Sequence, residues 1–442
     1  MVAAPPPLYG KETALAIQNF PISGIEMPSE FLSALALIKE HAAAVNGELG
    51  LIPASCAEAI EASAQAIRRR EHHDQFPIDI FQTGSGTSTN MNMNEVIAHL
   101  ASKDGQAVHP NDHVNRCQSS NDVIPTAIQI ACAQGLRDAL LPALTLLAES
   151  LETKGAEFRD IIKTARTHLM DAVPVRLGDE FLSYASLVRQ GMHKLTQSIS
   201  DLCVLPLGGT AAGTGLNADK RFAPAVIERL AKETGLALRE VENHIAAQSC
   251  PLAFSSVAGA LKETTTALTK IASDIRLMGS GPVAGLAELF LPALQAGSSI
   301  MPGKVNPVLC ESVLQVAMEI TGMDATVHAG LAIGSAFELN TAMPVIAHSL
   351  LSGIRHLANV SAVFEEKCVR GIEANRALIS ERSGKNPMLA TALNPLIGYD
   401  QSAAIVKEAL AKKETILAIA EKKTKIPLEK LQEALNPAKM CA

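Results

Sequence analysis

The 442-residue chain balances 38 Lys+Arg against 45 Asp+Glu, for a formal net charge of -7, and is 48% hydrophobic with no tryptophan and 3% aromatic residues. An acidic balance without a Lys/Arg stripe excludes a nucleic-acid surface; the one basic run, Arg68 to Arg70, meets Glu71 and Asp74 at once and reads as a solvated helix end. A core this rich in Ala and Leu and this poor in aromatics suits long packed helices better than a β-sandwich.

The opening MVAAPPPLYGKETAL has neither the basic region nor the apolar run of a signal peptide, and no later stretch offers an unbroken apolar span. The expectation is a soluble, cytoplasmic protein with no membrane partner. Eight scattered cysteines (Cys56, Cys117, Cys132, Cys203, Cys250, Cys310, Cys368, Cys441) without a CxxC fit reduced, mostly buried thiols.

In chain order, residues 1–118 are expected to form a mixed N-terminal domain of short helices, such as Ser29 to Asn46, and Pro/Gly-rich loops. Gln82 to Glu95, QTGSGTSTNMNMNE, then sets Ser85 and Thr87 among glycines ahead of three asparagines. Such residues cap helices, and they also supply neutral donors that hold a carboxylate without a full countercharge. His109 to His113, HPNDH, spaces two histidines around Asp112. Pro110 spoils the helix that a metal pair would need and no third ligand is near, so a turn with local Asx bonding is expected, with no metal. Ser119 to Asp122, SSND, reads as the N-cap of the apolar helix that follows.

From there the period is that of long helices, filling a central domain over 119–374. Leu177, Phe181, Tyr184, Val188, Met192, Leu195, Ile199 and Leu202 recur at steps of three and four, which predicts a helix of about 26 residues. Phe254 to Met278 repeats the pattern, with Thr264 in one apolar seat, and stops at Gly279-Ser280-Gly281-Pro282. Less regular patterns over 123–155, 308–330 and 341–368 make five long helices. The fold expected is mainly α, a central bundle with more apolar stripe than one chain covers, completed by further copies and flanked by two smaller domains. The last of these is a small helical C-terminal domain, 375–442.

Two connectors carry polar chemistry, Arg166 to Glu180 with Thr167-His168, and Leu207 to Asn217, LGGTAAGTGLN. The densest stretch is Gly297 to Pro307, GSSIMPGKVNP. It is not a P-loop, since five residues separate Gly297 from Gly303-Lys304 and Val305 follows the lysine. Asn306-Pro307 reads as N-cap plus N1, so an anion there would meet the Lys304 ammonium, the Asn306 amide and a helix N-terminus. With His168 and Glu311, these groups suit removal of a proton beside a carboxylate, which needs the resulting dianion to be held by cations and amides and needs no cofactor.

These motifs resemble the fumarase/aspartase superfamily. The order TGSGT, HPND, SSND, RTH, GGTAAGTGLN, GSSIMPGKVNP and FELN is similar, over nearly the whole chain, to that of class II fumarate hydratases. The resemblance implies a lyase of the tricarboxylic acid cycle that interconverts fumarate and L-malate through an aci-carboxylate carbanion. It implies Ser298 as the base, Lys304 and Asn306 stabilising the aci-carboxylate, and His168 supported by Glu311 at the departing water. Ser85, Thr87, Ser119, Ser120, Asn121 and Thr167 would bind substrate carboxylates, and His109, Asn111 and Asp112 match an accessory second carboxylate site. It also implies a homotetramer of three-domain chains whose active sites are shared between subunits. The rival within the superfamily is aspartate ammonia-lyase: Ser120, Ser85, Gly209 and Phe337 favour the hydratase, whereas Gln295-Ala296 looks aspartase-like. A catalytically silent structural protein on this fold is the alternative of another class, and the intact Ser298, Lys304, Asn306, His168 and Glu311 speak against it.

Overall fold

Long helices carry the chain, and their apolar stripes dictate where they pack. The computed structural model describes residues 6–102 and 107–441, so the start of the N-terminal stretch read for a leader lies outside the described residues. The helix expected from Leu177 to Leu202 spans those residues, and Leu177, Phe181, Val188, Leu195 and Leu202 on its stripe are fully buried. Ala253–Met278 follows the second pattern; Thr264, in the apolar seat, is buried and its hydroxyl donates to the Ala260 carbonyl at 2.8 Å. The other long elements are Val308–Gly334, Met343–Lys367 and the continuous stretch 120–157. That stretch is Ser120–Gly135, a π-helical turn at Leu136–Leu140, and Leu141–Glu157. It is long and apolar enough by length and composition to cross a membrane, which the sequence reading did not flag, yet half of its most apolar window is buried inside the protein.

The chain divides into two compact units. The first comprises 1–143, 191–266 and 315–359, and the second 144–190, 267–314 and 360–442. In the first, a Cβ on Gly191 would lie 2.7 Å from the Thr264 hydroxyl, so glycine lets two bundle helices approach. The Ser29–Glu48 helix packs on Ala54–Arg68 and Ser120–Gly135 and is buried on nearly every side. In the second unit Gly155 and Gly178 set a similar approach, where a Cβ on Gly178 would meet the Gly155 carbonyl at 2.3 Å. Phe158, Phe181 and Tyr184 stack edge to face at 5.2 and 5.6 Å, and the Tyr184 hydroxyl donates to Asp274. Leu389, Leu393, Ile405, Ile419 and Leu431 form a core of their own near the C-terminus.

Strands enter where only connectors are expected. Ile162–Thr167 and Met170–Arg176 form an antiparallel hairpin, Val204–Leu205 pairs in parallel with Arg239–Glu240, and two short antiparallel ladders join Leu289–Phe290 to Glu373–Ala374 and Ser335–Ala336 to Leu339–Asn340. The last of these seats the TGSGT loop. Buried Asn340 accepts from the Ala342 N–H, and the Met343 N–H donates to the Gly84 carbonyl at 2.9 Å.

Gly84 leaves no room for a side chain, because its Cβ would sit 2.0 Å from the Thr341 carbonyl oxygen. Gly84→Ala should therefore lose about 1–3 kcal/mol of stability by overpacking, read as a lower urea midpoint. A wild-type midpoint would show that this contact yields freely.

Candidate active site

The first unit gathers one set of expected residues by way of two helix starts. Thr87–Ala101 begins after Gly86, which is left-handed and makes no side-chain cap. The capping function expected of the TGSGT hydroxyls falls instead to Gln82, whose Oε1 accepts from both the N–H and the hydroxyl of Thr89. Ser85 and Thr87 pair with each other at 2.7 Å, Ser85 buried and Thr87 half-buried. The helix from Ser120 is capped as expected, Ser119 Oγ accepting from the Asn121 N–H and Asp122 accepting from the Ser119 N–H in a capping box. Asn121 donates to the Ala211 carbonyl at 2.7 Å, which ties this helix start to the 207–217 connector. Three hydroxylic or amide residues, Ser119 to Asn121, thus stand at one helix N-terminus.

The HPND turn departs from the Asx bonding expected. The His109 imidazole Nδ1 accepts from the Asn111 and Asp112 N–H groups at 3.3 and 3.1 Å, and the His113 Nδ1 accepts from the His109 N–H. An imidazole nitrogen sits as close to its own main chain as an Asx oxygen, and Pro110 fixes the bend that brings the amides to it. His109, Asn111 and Asp112 are exposed. Among the described residues no cluster of three or more His, Cys, Asp or Glu could hold a metal ion.

The second unit carries the rest. Thr167 and His168 stand at the tip of the 162–176 hairpin, and the two turn residues His168 and Leu169 both have positive φ, 56° and 61°. Non-glycine residues rarely adopt this conformation, and it turns both side chains out to solvent. What holds the hairpin is a buried ion cluster. Arg166 makes a bidentate pair with Glu288, and Lys163 bonds Glu288 at 2.8 Å and Glu180 at 2.9 Å. Burial raises the Glu288 carboxyl, but Arg166 and Lys163 outweigh it and hold it below its ordinary range; Glu180, with burial dominant, is pushed up.

The GSSIMPGKVNP loop closes on itself. The Gly297 N–H donates to the Lys304 carbonyl at 2.8 Å, and the Asn306 amide donates to the Gly297 carbonyl at 2.8 Å. Asn306 is therefore a clamp rather than the N-cap expected. The first helical bond runs from the Glu311 N–H to the Pro307 carbonyl, which shifts the cap to Pro307. Ser298 Oγ accepts from the Ile300 and Met301 N–H groups at 3.2 and 3.1 Å. Lys304, Ile300 and Met301 are exposed, and Glu311 lies in the first turn of Val308–Gly334. Among the described residues no hydrogen bond or ion pair joins His168 to Glu311. An apolar cavity of about 390 Å³ lined by Pro387, Tyr399 and Leu410 contains none of these residues.

Two buried groups escaped the sequence reading. Asp122 does more than cap: fully buried, it accepts from the Ser119, Gly208 and Thr210 N–H groups at 2.9, 3.2 and 2.9 Å, and burial pushes its carboxyl up to about 6 despite them. Lys39 is fully buried in the Ser29–Glu48 helix, where burial pulls its ammonium down to about 7. Its signal was a lysine inside the apolar run SALALIKEHAAAV.

A family model described as lyase matches residues 1–322, and one described as fumarase C C-terminus matches 389–442. The class II fumarate hydratase of Mycobacterium tuberculosis (strain CDC 1551 / Oshkosh) is 47% identical over 92% of this chain and 86% of its own length. That of Corynebacterium glutamicum is 46% identical over 98% of this chain and 93% of its own. Among solved structures, a recombinant class II fumarase from Schistosoma mansoni superposes with a TM-score of 0.96 at 38% identity, covering 99% of this chain and 96% of the other.

The Asp122 carboxyl makes a testable pH signature. Its folded pKa of about 6 lies above the ordinary 3.8, so between these values the folded state holds a proton that the unfolded chain has released. Stability from this group is full below about pH 4 and is lost as pH rises to about 6, by on the order of 3 kcal/mol. Urea midpoints taken from pH 4 to 7 should fall less steeply in Asp122→Asn than in wild type. Parallel curves would show that Asp122 is ionised throughout.

Proposed function

This chain belongs to the class II fumarate hydratases, hydro-lyases that interconvert fumarate and L-malate, and we propose that Ser298 is the base that takes the proton from malate C3. The observation that carries this reading is the pair of backbone N–H groups on Ser298 Oγ. A hydrogen bond to a charged acceptor is worth about 1.5–3 kcal/mol, so two donors fixed on one oxygen stabilise its alkoxide and lower the hydroxyl's pKa. The loop's closure on itself supports a preorganised donor pair.

The remaining steps follow from charge. Loss of the C3 proton leaves a second negative charge on the neighbouring carboxylate, and Lys304 with the Asn306 amide would stabilise that aci-carboxylate. The C2 hydroxyl then leaves as water with a proton supplied through His168, oriented by Glu311. Ser85, Thr87, Ser119, Ser120, Asn121 and Thr167 would bind the carboxylates as neutral donors, and His109, Asn111 and Asp112 an accessory second carboxylate. No step calls for a cofactor.

We further infer a homotetramer with active sites shared between subunits. In favour of this, the donor groups fall on two units of one chain, no hydrogen bond or ion pair joins His168 to Glu311 among the described residues, and Phe337, Ile333 and Met318 expose large apolar side chains at 93%, 85% and 71%. The division into segments 1–118, 119–374 and 375–442 is kept as a proposal, for which the separate C-terminal core speaks. A cytoplasmic location fits the cysteines, none of which forms a disulfide among the described residues and six of the eight of which are buried.

Ser298→Ala should lower kcat by roughly 10²–10⁴ while the oligomer elutes unchanged on size exclusion; near-normal turnover would dismiss the base assignment. Ultraviolet absorbance of fumarate should rise on mixing the purified protein with L-malate and stay flat with L-aspartate. Ammonia release from aspartate would instead select the lyase chemistry.

A further inference from the structure

We propose that Lys39, buried behind the Ser119–Asn121 helix start, is a positioning residue whose ammonium sets the direction of a hydrogen-bond relay ending on Ser120, holding that hydroxyl as a donor to the substrate carboxylate. This rests on the reading of Ser120 as a carboxylate ligand.

The relay is fixed by what each group is able to do. Lys39 Nζ donates to Asn115 Oδ1 at 2.9 Å. An ammonium has donors and no acceptor, so Asn115 must turn its oxygen towards it, while the Asn115 amide hydrogen goes to the Gln118 carbonyl. Asn90 is 1% exposed and presents its amide nitrogen to the same Asn115 oxygen at 3.2 Å and to Ser120 Oγ at 3.0 Å. Ser120 Oγ thus receives a hydrogen from the interior, and its own hydrogen is left to point out of the relay.

This orientation carries a cost. It leaves Asn90 Oδ1 buried without a hydrogen-bond partner, an arrangement that costs free energy. Flipping Asn115 and Asn90 would pair that oxygen with the Ser120 hydroxyl and take the hydroxyl away from substrate, but it would orphan the Asn90 amide nitrogen instead and set the Asn115 oxygen against the Gln118 carbonyl. The donor-only group at 39 and that carbonyl together oppose the flip.

Lys39 also differs from the other deeply buried lysines. Lys154 and Lys163 each have a glutamate within 2.9 Å, whereas Lys39, among the described residues, forms no ion pair. The Asp122 carboxylate acts on it at longer range and partly offsets the burial that pulls the ammonium down to about 7. An ammonium kept buried on one amide oxygen has a directional role that packing does not require.

The test compares Lys39→Met, Asn90→Leu, Ser120→Ala and the Lys39→Met/Ser120→Ala double variant, with KM and kcat measured for fumarate and L-malate. Each single variant should raise KM about tenfold, and in the two relay variants kcat should stay within about threefold, as expected when ground-state and transition-state binding are lost equally. The double variant should bind no worse than Ser120→Ala alone, because the lysine acts through that hydroxyl. Multiplying effects in the double variant, or a wild-type KM in Lys39→Met, would overturn the relay. Should Lys39→Met fail to fold, Asn90→Leu breaks the same chain one link further on, and a wild-type KM there overturns it too. A Ser120→Ala variant with unchanged KM would instead remove the carboxylate assignment on which the relay stands, whereas a raised KM in that variant alone would fault only the relay.

Discussion

One buried carboxylate holds the first unit's donors in register. Asp122 lies in the first turn of its helix, yet two of the N–H groups that it accepts, from Gly208 and Thr210, come from a connector some ninety residues further on. Without those bonds the 207–217 segment would leave amides unpaired in the interior, and Asn121 would lose the Ala211 carbonyl that fixes its amide. The outer side of the helix start and its buried side are therefore one construction. Ser119, Ser120 and Asn121 are aimed by what lies beneath them.

The second unit solves the same problem with charge. A two-residue turn with both φ values positive is unfavourable for His168 and Leu169, and the hairpin is held along its first strand by Lys163 and Arg166 on Glu180 and Glu288. Removing one partner from such a cluster leaves the others uncompensated in a low-dielectric interior, which is far costlier than losing a surface pair. The turn is thus braced from Lys163 near the hairpin's base to Arg166 beside its tip.

The long helices were legible because their signal is local and repeated. Leu177 to Leu202 gives more than seven turns of consistent spacing, and no tertiary accident erases that. The 162–176 hairpin was hidden for the opposite reason: its turn has neither Gly nor Asn, and Pro174 argues against a strand. The motifs name candidate site residues, but the spacing of side chains along the chain says nothing of which donor faces which acceptor. Hence Asn306 was expected to cap a helix and instead clamps a loop, and His109 caps where an Asx side chain was expected. Lys39 was passed over because a lysine on an apolar helix ordinarily snorkels to water, and only the packing of helices on every side shows that this one does not.

The Gly297–Lys304 and Asn306–Gly297 bonds make the signature loop a small ring with a closed neck. Its inner geometry is settled before any ligand arrives. A segment tied in this way has already lost much of the backbone entropy of eleven independent residues, and the serine inside it holds its two N–H donors as part of the same closure.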